Sequence, residues 1–163
     1  MNRLLQGLLY AGFAVFVGYF SAAPTYNYAD PELASIKVSL SHAANRVHPC
    51  RKLTPQELVE LAASGKPFQK CERKRLPLSI ALEIDGDVVY EAIARPSGLW
   101  SDGPSSIYER LQIAPGLHEI TARLRDSNRD GGWDYEHSEQ VNLEPGRYFT
   151  ITFRAETGGF SFR

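Results

Sequence analysis

The sequence predicts an all-β domain, an antiparallel β-sandwich, standing behind one apolar N-terminal helix. Three observations predict it. Leu4 to Ala23 is a run of twenty mostly apolar residues. From Ile36 to Phe162, apolar residues recur at alternate positions in short stretches. Asp85-Gly86, Pro115-Gly116 and Pro145-Gly146 punctuate those stretches as turns. A chain of 163 residues is long enough for one domain with a real core. The expected boundaries are a membrane anchor at 1–24, a linker at 25–34, and a sandwich at 35–163 that includes a helical insert at 50–71.

The apolar run, "LLQGLLYAGFAVFVGYFSAA", is interrupted only by Gln6. At about 1.5 Å per residue its helix just spans a hydrocarbon core of roughly 30 Å. Arg3 precedes it, and Asp30 and Glu32 are the first charges beyond it. The positive-inside rule then places the N-terminus in the cytoplasm and the rest outside. A cleaved signal peptide is the competing reading, with Ser21-Ala22-Ala23 as its small-residue site. Pro24 fits a peptidase badly just after the cleaved bond, which favours an uncleaved anchor. Gly7, Ala11, Ala14 and Gly18 fall four, three and four apart, so they share one stripe of the helix. Small residues on one face let another helix approach closely in lipid, although glycine and alanine are common in membrane spans anyway. The expected partners are therefore the lipid bilayer and integral membrane protein subunits.

"SHAANRVHPC", Ser41 to Cys50, places His42, His48 and a cysteine within a short stretch. They suggest a copper or zinc site, or half a disulfide beside two ordinary histidines. Cys50 and Cys71 are the chain's two cysteines, and in an oxidising compartment two cysteines pair. A loop of that length, closed, contributes roughly 3 kcal/mol in the chain-entropy model. Between them "LTPQELVELAASG" predicts a short helix. Thr54 is its N-cap, Pro55 its first residue, Glu57 the partner in a capping box and Gly65 its stop. With Cys50 paired, the histidines lose their third ligand. His42 then ends the buried face Ile36, Val38, Leu40 as a packed, hydrogen-bonded residue. Copper would want methionine, and Met1 is the only one.

The strands follow in order. Ile36 to His42 alternates, as does Leu78 to Ile84, and Asp85-Gly86-Asp87 signals a hairpin into Val88 to Ala94. Ile107, Leu111 and Ile113 form a face. Pro115-Gly116 leads into His118 to Leu124, Tyr135 to Leu143 is next, and Pro145-Gly146 leads into Phe149 to Phe153. "ETGG" suggests a last hairpin into Phe160 and Phe162. Seven or eight such strands read as a sandwich. The Pro-Gly turns resemble those of immunoglobulin-like, transthyretin-like or PEGA-type modules over Leu76 to Arg163, an architectural likeness that implies no function.

Two loops carry the remaining signals. "ARPSGLWSDGPSS" holds Leu99 and Trp100 among glycine, proline and serine, either as an exposed contact anchor or folded back as a lid. In "DSNRDGGWDYEH", Asp126, Asn128, Asp130 and Gly131 match the opening of a calcium loop. Position twelve, however, is His137 where a bidentate glutamate is needed, and the same residues suit a plain polar hairpin. No cofactor is expected apart from this calcium alternative.

Net charge is −1, which argues against nucleic acid as a partner. The balance hides a basic front. Arg46 to Arg75 carries eight basic residues, ending in Arg73, Lys74 and Arg75, against three acidic ones. From Leu76 onward eight arginines face fourteen carboxylates. Such asymmetry orients docking. No G-x-S-x-G, Walker, H-E-x-x-H or Rossmann signature is present, and the chain reads as a non-enzyme. The stretch "SHAANRVHPCRKLTPQEL…C", with the ending "ETGGF", resembles uncharacterised single-pass proteins of proteobacteria, some of which accompany respiratory complexes of the haem–copper oxidase type. The resemblance implies a non-catalytic accessory subunit or assembly factor of an inner-membrane complex and carries over no functional residue. A tethered periplasmic ligand- or metal-binding module is the alternative.

Overall fold

The structure, a computed structural model, describes residues 3–23, 29–50, 53–64 and 72–163. Helix α1, Arg3–Ala22, is apolar enough and long enough to cross a membrane and buries none of its residues against the rest of the chain. Strand β1 is Ala34–His42. Helix α2, Pro55–Ser64, starts at the expected cap. There the Thr54 N–H donates to Glu57 Oε2 at 2.9 Å, and the Glu57 N–H donates to Thr54 Oγ1 at 3.4 Å. The helix buries no residue, consistent with a segment that cannot hold itself in place through packing. Gly65 and Cys71 lie outside the described residues, as do Arg51, Lys52, Lys66 and Lys70 of the basic front.

The remaining strands are β2 Leu78–Ile84, β3 Asp87–Ala94, β4 Ser105–Ile113, β5 Gly116–Arg125, β6 Tyr135–Leu143, β7 Tyr148–Arg154 and β8 Gly159–Phe162. They form two four-stranded sheets, ordered β4-β1-β7-β8 and β3-β2-β5-β6. The expected fully antiparallel arrangement needs one correction: β1 and β7 pair in parallel, Ser35 beside Tyr148 through Ser39 beside Thr152. β1 lies between β4, which runs against it, and β7, which runs with it. Constant-type immunoglobulin sandwiches keep their first two strands in one sheet, and here β1 and β2 lie in opposite sheets.

The core lies between the sheets and comes from the alternating positions. Ile36 and Val38 of β1, Ile80 and Leu82 of β2, Ile120 and Leu124 of β5, and Ile151 of β7 are buried. Each such side chain contributes about 1.5–3 kcal/mol on leaving water. The β2–β3 hairpin turns through Asp85 and Gly86 at φ 54° and 90°, the positive angles its two-residue loop requires. His118 locks that turn to the start of β5. Its Nδ1 meets Asp85 Oδ2 at 2.6 Å and its Nε2 faces the Ala114 carbonyl at 3.0 Å. The hydrogen bond to Asp85 raises the imidazole pKa, burial opposes it, and the Ala114 carbonyl adds to the rise.

Two groups of loops therefore separate. The turns at 85–86, 114–115 and 144–147 share the end where β1 begins. The segments after β1, between β3 and β4, and between β5 and β6 share the other end, and this end carries the candidate site.

Candidate docking site

The site is built on a short ladder that the sandwich does not supply. Segments 44–47 and 74–76 run alongside each other: Arg46 bridges Arg75, the Val47 N–H donates to the Lys74 carbonyl at 3.0 Å, and the Leu76 N–H donates to the Asn45 carbonyl at 2.8 Å. Arg75 then ties the ladder to the β3–β4 loop. Its backbone N–H donates to the Ser101 carbonyl at 2.9 Å, its Nε to the Asp102 carbonyl at 2.9 Å and its Nη1 to the Ala44 carbonyl at 2.8 Å. The Arg73 guanidinium pairs with the Asp102 carboxylate from outside.

The loop is also braced within itself. The Ser97 N–H donates to the Pro104 carbonyl, the Gly103 N–H to the Ser97 carbonyl and the Ser101 N–H to the Gly98 carbonyl. Gly103 packs so closely that a Cβ would sit 2.3 Å from Ser97 Oγ. Gly98 and Ser101 hold positive φ values of 87° and 51°. Between these fixed points Leu99 and Trp100 stand out in water, 91% and 69% exposed. The lid alternative is thereby set aside: Trp100 does not fold back over a sheet.

The five residues read from the sequence as a contact surface are thus gathered at one place, with one change of role. Arg73 and Lys74 are exposed beside the tip. Arg75 is half-buried, and its donors are spent on carbonyls, so it positions the loop rather than meeting a partner. Asp102 was not singled out from sequence. Only its position beside Gly103-Pro104 hinted that it sits in a turn.

The other candidates are dispersed. His42 Nε2 meets Asp126 Oδ2 at 2.7 Å, its ring lies edge-on to Phe153 at 5.1 Å, and it is the packed, hydrogen-bonded residue expected. His48 faces Glu72 at 3.4 Å on the surface. Cys50 is exposed, and its expected partner Cys71 lies outside the described residues. Among the described residues no group of three histidine, cysteine or acidic side chains could hold a metal ion.

In the calcium-like loop, Asp126 is buried and turned inward to His42 and Asn45, whereas Asn128 and Asp130 are exposed. Asp134 organises the loop instead, accepting the backbone N–H groups of Asp126 and Ser127 at 2.9 and 3.0 Å and the Ser127 hydroxyl at 2.9 Å. Burial pushes its carboxyl upward, but these donors outweigh that and hold it below the usual carboxylate range. Millimolar calcium is therefore expected to move the melting temperature by no more than about a degree or two, since an occupied site at saturation stabilises by several kcal/mol. A rise of many degrees, abolished in Asp130→Ala, would contradict this.

On α1, Gly7 and Gly18 of the small-residue stripe meet nothing within 4 Å of an added Cβ, so no described part of this chain covers them. No protein-family model matches the chain, and neither a curated protein nor a solved structure does.

Proposed function

We propose that this chain is a non-catalytic accessory subunit or assembly factor of a bacterial inner-membrane respiratory complex. In this reading α1 is an uncleaved anchor with a cytoplasmic N-terminus, and the sandwich works in the periplasm. One observation carries the docking part: a leucine and a tryptophan held in solvent on a loop cross-braced at both flanks. A bare apolar tip is costly to maintain in water, and an isolated monomer has no use for the bracing. Pre-ordering the tip removes the entropy that binding would otherwise cost. Tryptophan and arginine are the residues that most often dominate interfaces, and here Arg73 pairs with Asp102, two residues beyond Trp100. Of the sandwich classes the sequence resembles, the strand order favours the transthyretin-like one.

The test is co-purification from detergent-solubilised membranes. Leu99→Ala with Trp100→Ala is expected to remove most of the partner proteins, at least tenfold if the tip is an anchor worth about 2 kcal/mol or more. Because both side chains are exposed, the melting temperature should hold. Undiminished recovery of partners would sink the reading.

The Cys50–Cys71 disulfide is part of the same proposal. It would close the insert that carries α2 onto the ladder beneath the tip. In protein isolated without reductant, thiol-labelling mass spectrometry should find neither cysteine reactive; two labelled thiols would refute the pairing.

A further inference from the structure

The outer face of the β4-β1-β7-β8 sheet is separate from the docking loop and is used by nothing described so far. Its register sets side chains in rows across the strands. One row runs Arg110, Lys37, Thr150, Arg163. The next is Tyr108, Ser39, Thr152, Ser161. Ser106 and Ser41 follow, on the side of the face where Arg154 closes β7. No carboxylate side chain occurs in these rows, although the chain as a whole has net charge −1. The opposite sheet shows the contrast. Its outer face carries Glu83, Glu91, Glu119 and Glu136, with Arg123 paired to Glu83 and Glu136.

The cationic face is also hollow. A depression of about 1190 Å³ lies over it, lined by hydroxyl side chains, by Arg154 and Arg163, and by the apolar Leu40, Ile107, Phe153 and Phe160. Single small ligands occupy pockets of about 300–1,000 Å³, so this one has room for a length of chain. Lys37 and Arg110 stand on neighbouring strands in register. Lys37 Nζ lies 5.4 Å from the Tyr108 centroid and the Arg110 guanidinium 5.8 Å from that of Tyr148.

We infer that this face binds an acidic glycan, a saccharide chain bearing carboxylate or sulfate groups. The charge selects an anion. The hydroxyls select what carries it, because Ser39, Thr152 and Ser161 both donate and accept and so can exchange hydrogen bonds with sugar hydroxyls. The exposed Tyr108 ring offers a flat surface for the C–H face of a pyranose. An acidic protein is the competing occupant, and polyglutamate stands for it in the test.

The test uses the full chain in a neutral detergent, with fluorescent oligogalacturonate and dextran sulfate as probes. Neutral dextran and a polyglutamate of matched charge serve as comparisons. The acidic glycans should bind, more weakly as salt is raised. Arg154→Gln and Arg163→Gln should each weaken binding several-fold, the scale of an exposed charge contact. Thr152→Val with Ser161→Ala should weaken the glycans and leave polyglutamate unchanged. The Leu99→Ala, Trp100→Ala variant should bind the glycans normally, so failure of the docking reading and failure of this one are distinguishable. Polyglutamate or dextran binding as tightly as the acidic glycans would overturn the inference. So would arginine variants of wild-type affinity, or no binding of either acidic glycan.

Discussion

Asp126→Ala is expected to lower the stability of the sandwich by about 2–4 kcal/mol, the scale of a lost buried hydrogen bond that strands its partner. Asp126 sits where three segments meet. Its carboxylate receives His42 at the end of β1 and Asn45 just beyond, and its carbonyl accepts the Asn45 N–H at 3.0 Å. Its own N–H donates to Asp134. The side chains of His42 and Asp126 are 15% and 9% exposed, so water cannot fully replace the carboxylate once it is gone. For a domain of this size the loss should lower the melting temperature by roughly 10 °C. Two further variants separate the causes. Asp126→Asn keeps an oxygen for the imidazole and should cost less than half as much. His42→Phe combined with Asp126→Ala replaces both partners by apolar groups and should recover much of the loss, because the new ring would lie beside Phe153 as the imidazole does. Thermal unfolding followed by near-UV circular dichroism reads all three. A single alanine variant that melts within 2 °C of wild type would show that the junction contributes little.

That junction also marks the limit of what the sequence discloses. Period-two alternation named β1, β2, β5 and β7, because each has one face in a dry core and burial follows the pattern of side chains, whereas β3, β6 and β8 were placed by the turns beside them. Asp85-Gly86 announced its hairpin because few other residues accept two successive positive φ values. Thr54 and Glu57 announced α2 for an equally local reason, the reciprocal cap. Pairing between strands is not local. Nothing in β1 distinguishes a parallel neighbour from an antiparallel one, so the β1–β7 ladder and the assignment of β2 to the opposite sheet were illegible. The same holds for the sites. Asp126, Asn128 and Asp130 have calcium-like spacing, but what Asp126 does is decided by His42, a residue 84 positions earlier. Leu99 and Trp100 could be flagged by composition alone, whereas their exposure depends on Arg75 reaching the loop from the far side of the insert. The cationic rows needed the register of four strands before Lys37, Arg154 and Arg163 could be seen on one surface.

Replacing Ala11 and Ala14 with leucine should leave the amount of protein in the membrane unchanged and sharply reduce its recovery with partner subunits. The argument starts from what lipid removes. Between helices in a bilayer the hydrocarbon is as apolar as the side chains, so association rests on close packing rather than on escape from water. Gly7, Ala11, Ala14 and Gly18 make one flank of α1 nearly flat, and no described residue outside the helix buries that flank. Leucine adds three carbons at each of the two central positions and raises hydropathy, so insertion should survive. The added bulk would hold a neighbouring helix off by an ångström or more, and dispersion contacts decay steeply over that distance. A tenfold fall in co-purified partner corresponds to about 1.4 kcal/mol, which a few lost contacts of this kind supply. Leu5→Ala with Phe16→Ala, off the stripe, should alter recovery much less. If the double leucine variant brings down the same partners at wild-type yield, the small residues are an accident of composition. Assembly would then have to rest on the Leu99–Trp100 tip alone.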